Sequence, residues 1–139
     1  MARRRRFRWD DGPLQRKVMR GARRGVFKAA HRFRSQTINY ILRTKKTGRF
    51  YRRRGVLHQA SAPGESPASD TGRLVNSITV VMNLAELSAV IQANTRYAEW
   101  LEYGTENMEP RPFFRPTMTY LRPELYRIIQ REIQTELRK

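Results

Sequence analysis

From Leu14 to Ile41, apolar or small residues return at steps of three and four: Leu14, Val18, Ala22, Val26, Ala29 and Ala30, Phe33, Thr37 and Ile41. Only a helix turns such a set to one side. The pattern predicts a single long helix from about Pro13 to Leu42 that must bury one face against a partner. "DDGPLQ" (10–15) suits its start: acids sit at the positive end of the dipole, and Pro13 stands where a missing N–H is harmless. Gly21 and Gly25 either weaken this helix by about 1 kcal/mol each relative to Ala or let a neighbouring element approach closely.

The rest of that helix surface is cationic, and the charge is lopsided along the chain. Residues 1–60 hold 20 Lys/Arg against two acids, whereas residues 61–139 hold 9 against 10. Nearly all of the net +17 therefore lies in the first half. A device for general solubility would not be so one-sided, so this half is expected to meet a polyanion or an acidic protein surface. "RRRRFRW" (3–9) interleaves arginines with aromatics and suits either partner. Residues 1–12 have too few apolar groups to fold alone and read as a flexible basic arm, with 13–139 as a single domain.

After the helix, residues 44–72 read as an extended loop, closing on the Ser-, Ala-, Pro- and Gly-rich "VLHQASAPGESPASDTG" (56–72). "SITVVMN" and "SAVIQAN", separated by "LAEL", predict two antiparallel strands. "GRLVNS" adds a helical turn before them, capped by Asp70 or Thr71. "YAEWLEYG" predicts a short helix closed by Gly104. A last helix starts or kinks near Pro116 or Pro123, with Met118, Leu121, Leu125, Ile128, Ile129, Ile133 and Leu137 as its stripe. The expected fold is α+β: a long N-terminal and a C-terminal helix packed on a small antiparallel sheet.

Chemistry that needs converging groups is poorly supplied. With no cysteine and only His31 and His58, thiolate and zinc sites are not expected, and no cofactor is. Glu99, Glu102, Glu106 and Glu109 cluster in one stretch. Glu99 and Glu102 would share a face of a helical turn and could do acid–base work or hold Mg²⁺. Pairing with Arg96, Arg111 or Arg115 is the simpler reading, and no enzyme is expected. No run approaches the roughly 18 apolar residues of a membrane helix, and no apolar segment follows the first arginines, so neither a membrane partner nor a secretory signal is expected.

Three segments in order carry a resemblance: "SAPGESPASDTGRLVNSI" (61–78), "ANTRYAEWLEYGT" (93–105) and "RPFFRPTM" (111–118). Together they resemble the tail-component family of long-tailed bacteriophages, the small neck or tail-completion proteins of the head–tail joint. The pattern falls on Thr71, Gly72, Leu74, Ser77 and Ile78, on Tyr97, Ala98, Leu101, Glu102, Tyr103, Gly104 and Thr105, and on Arg111, Pro112, Phe113, Arg115 and Pro116. The resemblance implies a non-enzymatic virion protein, assembled in the host cytoplasm into the head–tail junction. It implies one copy in a hexameric or dodecameric ring around the DNA channel, flanked by head-completion and tail proteins. A tail terminator and a head-closure stopper are alternatives within the same virion. A free-standing basic nucleic-acid-binding protein is the alternative of another class.

A ring subunit needs two different, mutually complementary faces. Tyr97, Trp100, Glu102, Tyr103, Arg111, Phe113, Phe114 and Arg115 are the expected packing and interface set. Trp100, Tyr103 and Phe114 are placed near a subunit boundary, with Glu102 and Arg115 paired across subunits or across elements. Arg3, Arg4, Arg5, Arg6, Arg8, Arg52, Arg53 and Arg54 are the residues expected to face packaged double-stranded DNA or an acidic partner. The arm and the Ser/Pro loop are expected to be mobile alone and ordered only on assembly.

Overall fold

The apolar stripe becomes α1, Gly12–Arg43, in a computed structural model that describes residues 12–139. Its buried residues are Gly21, Gly25, Ala29, Ala30, Phe33, Thr37 and Ile41. In the first half of the helix the buried line runs through the two glycines rather than through Ala22 and Val26, which are half-buried.

The partner explains the shift. α4, Phe114–Leu137, lies antiparallel to α1: Phe33 stacks on Phe114 at one end, and Gly21 meets Ile133 at the other. A Cβ on Gly21 would stand 2.6 Å from the Ile133 Cα, and one on Gly25 would stand 2.8 Å from the Ile129 Cα. Those separations are below any real carbon–carbon contact. The glycines are where the two backbones touch, and that close approach is their role here.

Each acid of α4 answers a cation of α1. Glu124 accepts from Arg32 at 2.7 Å, Glu132 from Lys28 at 2.5 Å, and Glu136 pairs with Arg24 at 2.8 Å and Arg20 at 3.7 Å. The Arg32 hydrogen bond holds the Glu124 carboxyl below the ordinary glutamate range. Glu136 is lowered chiefly by its hydrogen bond from Lys139, with Arg24 and Arg20 adding to the effect.

α4 begins ahead of both prolines at which a start was expected. Pro116 falls in the first turn, where no intrahelical N–H is needed, and Pro123 lies inside the continuous helix. Pro123 and Thr119 are both exposed, so the Thr119 carbonyl that loses its donor faces solvent.

Between the helices the fold is α+β, with two two-stranded antiparallel sheets where one was expected. The first, β1 (Phe50–Arg53) with β2 (Val56–Gln59), lies inside the stretch read from sequence as loop. Arg54 (φ 51°) and Gly55 (φ 80°) close it as a two-residue turn with both central residues left-handed. The second sheet is β3 (Ile78–Asn83) with β4 (Ser88–Ala93), pairing Ile78 with Ala93 and Val80 with Ile91. Its inner face lies on α1.

Residues 60–72 are tied down even in the single chain. The Glu65 carboxylate accepts from the Thr47 N–H (3.0 Å), the Thr47 hydroxyl (2.5 Å) and the Ala62 N–H (2.8 Å). Lys46 donates to Ser66, whose hydroxyl donates to the Tyr40 carbonyl. Burial lowers the Lys46 ammonium from its ordinary value. Ser61, Ser66 and Pro67 are buried. A segment expected to be mobile alone is instead part of the folded wall.

α2, Arg73–Ser77, is entered through Gly72 at φ 72°, without a side-chain cap. Asp70, an expected cap, is held by Arg53 (2.5 Å) and His58 (3.1 Å). α3, Ala98–Tyr103, follows β4 and ends at Gly104. The central core joins Ile41, Leu74, Val75, Ile78, Ala98 and Phe113, with Tyr97, Leu101, Ile91 and Phe114 packed around it.

Candidate assembly interface

The three motif segments meet at the junction of α2, α3 and the start of α4. Leu74 and Ile78 from the first, Ala98 from the second and Phe113 from the third share the central core, closed by Ile41 from the end of α1. Ile78 and Phe113 are wholly buried. Ser77, the last residue of α2, donates to the Leu74 carbonyl at 2.7 Å, and Ile78 leaves the helix in extended backbone. Arg34 of α1 donates to the Ile78 carbonyl at 2.7 Å, tying the first motif to the long helix. Thr71 is exposed.

Glu102 is the hub of the junction. Its Oε2 accepts from the N–H groups of Phe113 (2.8 Å) and Phe114 (2.9 Å), and its Oε1 from Arg115 N–H (2.9 Å) and Arg115 Nε (3.2 Å). These backbone N–H groups open α4 and have no acceptor within their own helix. A buried carboxylate from α3 therefore caps α4 from outside, adding negative charge at the positive end of its dipole. Arg115 closes the loop by donating from Nη2 to the Glu102 carbonyl at 2.5 Å. The Glu102–Arg115 pair is thus an intrachain link between elements. Glu99 does not join Glu102: it points to solvent, while Glu102 turns inward.

The turn after α3 is fixed as tightly. Gly104, at φ 79°, leaves no room for a Cβ, which would lie 2.7 Å from the Met108 carbonyl oxygen. Thr105 and Met108 bridge antiparallel, Arg111 N–H donates to the Leu101 carbonyl at 2.6 Å, and Gly64 N–H donates to the Pro110 carbonyl at 3.0 Å. Arg111 Nε also donates to the Ser61 carbonyl at 3.3 Å. Glu106 and Glu109 stand exposed on this turn, and Pro112 is half-buried just before α4.

The aromatic set divides. Phe113 and Phe114 turn inward, with ring centroids 4.6 Å apart, and Phe114 stacks on Phe33 at 5.9 Å. Phe114, half-buried, is thereby packed against the domain core. Tyr97 is half-buried at the core edge. Trp100 (54%) and Tyr103 (67%) remain on the surface, with the Arg115 guanidinium 5.2 Å from the Tyr103 ring.

Opposite α3, across a cleft of about 650 Å³, stands the β1–β2 hairpin. Tyr51, Arg53 and Arg54 line the cleft from that side, and Tyr97, Leu101 and Arg111 from the other. Arg53 is engaged with Asp70, whereas Arg52 and Arg54 are exposed without ion pairs among the described residues. The hairpin also exposes Phe50 (62%), Val56 (57%) and Leu57 (60%). Sequence reasoning missed these three. Their signal was a pair of short β-prone runs around a single Gly. Arg3, Arg4, Arg5, Arg6 and Arg8 lie outside the described residues.

Among the described residues, no group of three or more His, Asp or Glu is placed to hold a metal ion, and no helix is long and apolar enough to cross a membrane. No protein-family model, no curated protein and no solved structure matches the chain.

Proposed function

We propose that this chain is a structural subunit of a bacteriophage neck, joining capsid to tail as one copy in a ring around the DNA channel. Among the apolar side chains that the described residues expose, two groups carry the reading: Phe50 and Leu57 on the outward face of the hairpin, and Trp100 and Tyr103 on α3. A two-stranded hairpin with an apolar outer face gains little from standing in water. Two unlike exposed surfaces on one chain suit head-to-tail association, which closes into a ring when the rotation allows. The three motif segments that resemble tail-component proteins form the junction presenting one of these surfaces.

Native mass spectrometry of the purified chain tests self-association. A closed hexamer or dodecamer is expected, and a strict monomer at every concentration would remove the reading. Electron microscopy of particles carrying a tag on this chain then tests the location, with a ring at the head–tail junction as the expected image.

Nucleic-acid contact has its own support. α1 carries nine Lys/Arg and no acid. After α4 has matched Arg20, Arg24, Lys28 and Arg32, the cations Arg16, Lys17 and Arg23 remain without ion pairs among the described residues. In a ring these would suit a DNA-filled lumen. Such binding would ignore sequence, and its affinity would fall with salt by a logarithmic slope of about 0.9 per phosphate neutralised.

A further inference from the structure

We propose that the outward face of the β1–β2 hairpin is the docking surface for the α3 ridge of a second copy of this chain. Arg52 and Arg54 would meet Glu106 and Glu109 of the neighbour, with Phe50 and Leu57 against its Trp100 and Tyr103. The inference rests on the ring reading and specifies which surfaces mate.

The strand register divides the hairpin into two faces. Tyr51 pairs with His58 and Arg53 with Val56 on one, and Phe50 pairs with Gln59 and Arg52 with Leu57 on the other. The first face is turned to the body of the domain, since Tyr51 stacks on His58 at 5.7 Å and both Arg53 and His58 reach Asp70. On the second, Phe50, Arg52 and Leu57 stand exposed among the described residues, while Gln59 is half-buried and donates to the Gly48 carbonyl at 3.2 Å. Arg54 stands at the hairpin tip, exposed at the rim of the cleft between the two faces, and its left-handed backbone ordinarily favours Gly or Asn.

Charge complementarity identifies the occupant. Among the described residues, Glu65, Asp70, Glu102, Glu124, Glu132 and Glu136 are all engaged in hydrogen bonds or ion pairs within the chain. Among the described residues, the side chains of Glu99, Glu106 and Glu109 have no ion-pair partner, and these three flank Trp100 and Tyr103 in the sequence. One chain thus presents an arginine-edged apolar face and an acid-edged aromatic ridge. The cleft keeps them apart within one copy. The ridge is also preorganised, because Gly104 and the Thr105–Met108 bridge fix Glu106 and Glu109 before any partner arrives. A nucleic-acid backbone would match the arginines but offers nothing to Phe50 and Leu57.

Charge reversal tests the pairing, read as the association constant by sedimentation at fixed ionic strength. Arg52→Glu with Arg54→Glu, or Glu106→Lys with Glu109→Lys, should each weaken association about tenfold or more by setting like charges face to face. All four changes in one chain, or an equimolar mixture of the two double variants, should restore it. The four sites are exposed, so far-UV circular dichroism should match wild type. The chain has no cysteine, which permits a second measurement that is independent of charge. A chain carrying Leu57→Cys and Trp100→Cys should form a ladder of cross-linked multimers under oxidised glutathione.

Wild-type rings left unchanged by either double variant, or without cross-links, would overturn this surface and leave the ring reading standing. A wild type that never associates would remove both. DNA retention lost in Arg52→Glu/Arg54→Glu while assembly persists would assign the hairpin to nucleic acid and overturn the proposal.

Discussion

Glu102 uses both of its oxygens, and that fixes what a substitution does. Each accepts two N–H groups, so a glutamine there must turn its amide –NH₂ toward at least one backbone or guanidinium donor. Glu102→Ala leaves the first N–H groups of α4 without their acceptor beside the wholly buried Phe113. It is expected to destabilise the fold by about 2–4 kcal/mol, read by urea denaturation, with Glu102→Gln falling between alanine and wild type. Truncating the exposed Glu99 should change stability by no more than about 0.5 kcal/mol. The sequence brought Glu102 and Arg115 together as a pair, but not the larger role of the carboxylate. Its principal partners are backbone N–H groups, which every residue except proline carries and which no side-chain pattern marks.

At the scale of elements, the antiparallel pair α1–α4 decides the architecture. Alanine is the better helix former, so Gly21→Ala and Gly25→Ala would each gain about 1 kcal/mol in an isolated helix. Here the added methyl would stand 2.6 Å or 2.8 Å from backbone of the facing helix, and overpacking of that kind costs about 1–3 kcal/mol. The second effect wins, and both variants, most clearly the double one, should melt below wild type in a thermal scan.

The pairing should also depend on acid. The folded carboxyls of Glu124 and Glu136 lie below their ordinary value of 4.5. Their contribution is therefore complete above that value and is lost as pH falls through the lowered folded values. Melting temperature should hold level from pH 7 to about 5 and drop on further acidification, less steeply in Glu124→Gln/Glu136→Gln. Both helices and the β3–β4 strands were legible because their apolar periods are long or cleanly β-branched. The β1–β2 hairpin was not, because its outward positions keep apolar and cationic side chains together and so blur the alternation. The Ser/Pro segment misled for a related reason: its composition is that of a loop, while its hydrogen bonds to Thr47 and Tyr40 come from residues distant in sequence.

For the whole molecule, motifs spread over residues 61–118 gather at one end of the helix pair and share a single core. Their small and proline residues read as turns, and what they build is a rigid platform that leaves Trp100 and Tyr103 outside. In the sequence these segments are linked only by their order and by a resemblance. The sequence did not show which aromatics face inward, because that follows from the side of α4 on which α1 lies. If the exposed surfaces are covered by copies of the chain, unfolding is linked to dissociation. The melting temperature should then rise with protein concentration, and a concentration-independent value would speak for a monomer.

The glycine contact has a mechanical side. Where two helices meet through side chains, some sliding is absorbed by rotamer changes; here Gly21 and Gly25 lie directly against the Ile133 and Ile129 backbone, with almost nothing between to yield. An axial shift would drive neighbouring side chains into the opposite main chain. The glycine contacts thus fix the axial register of α1 against α4, and with it the position of the Glu102 junction at the start of α4.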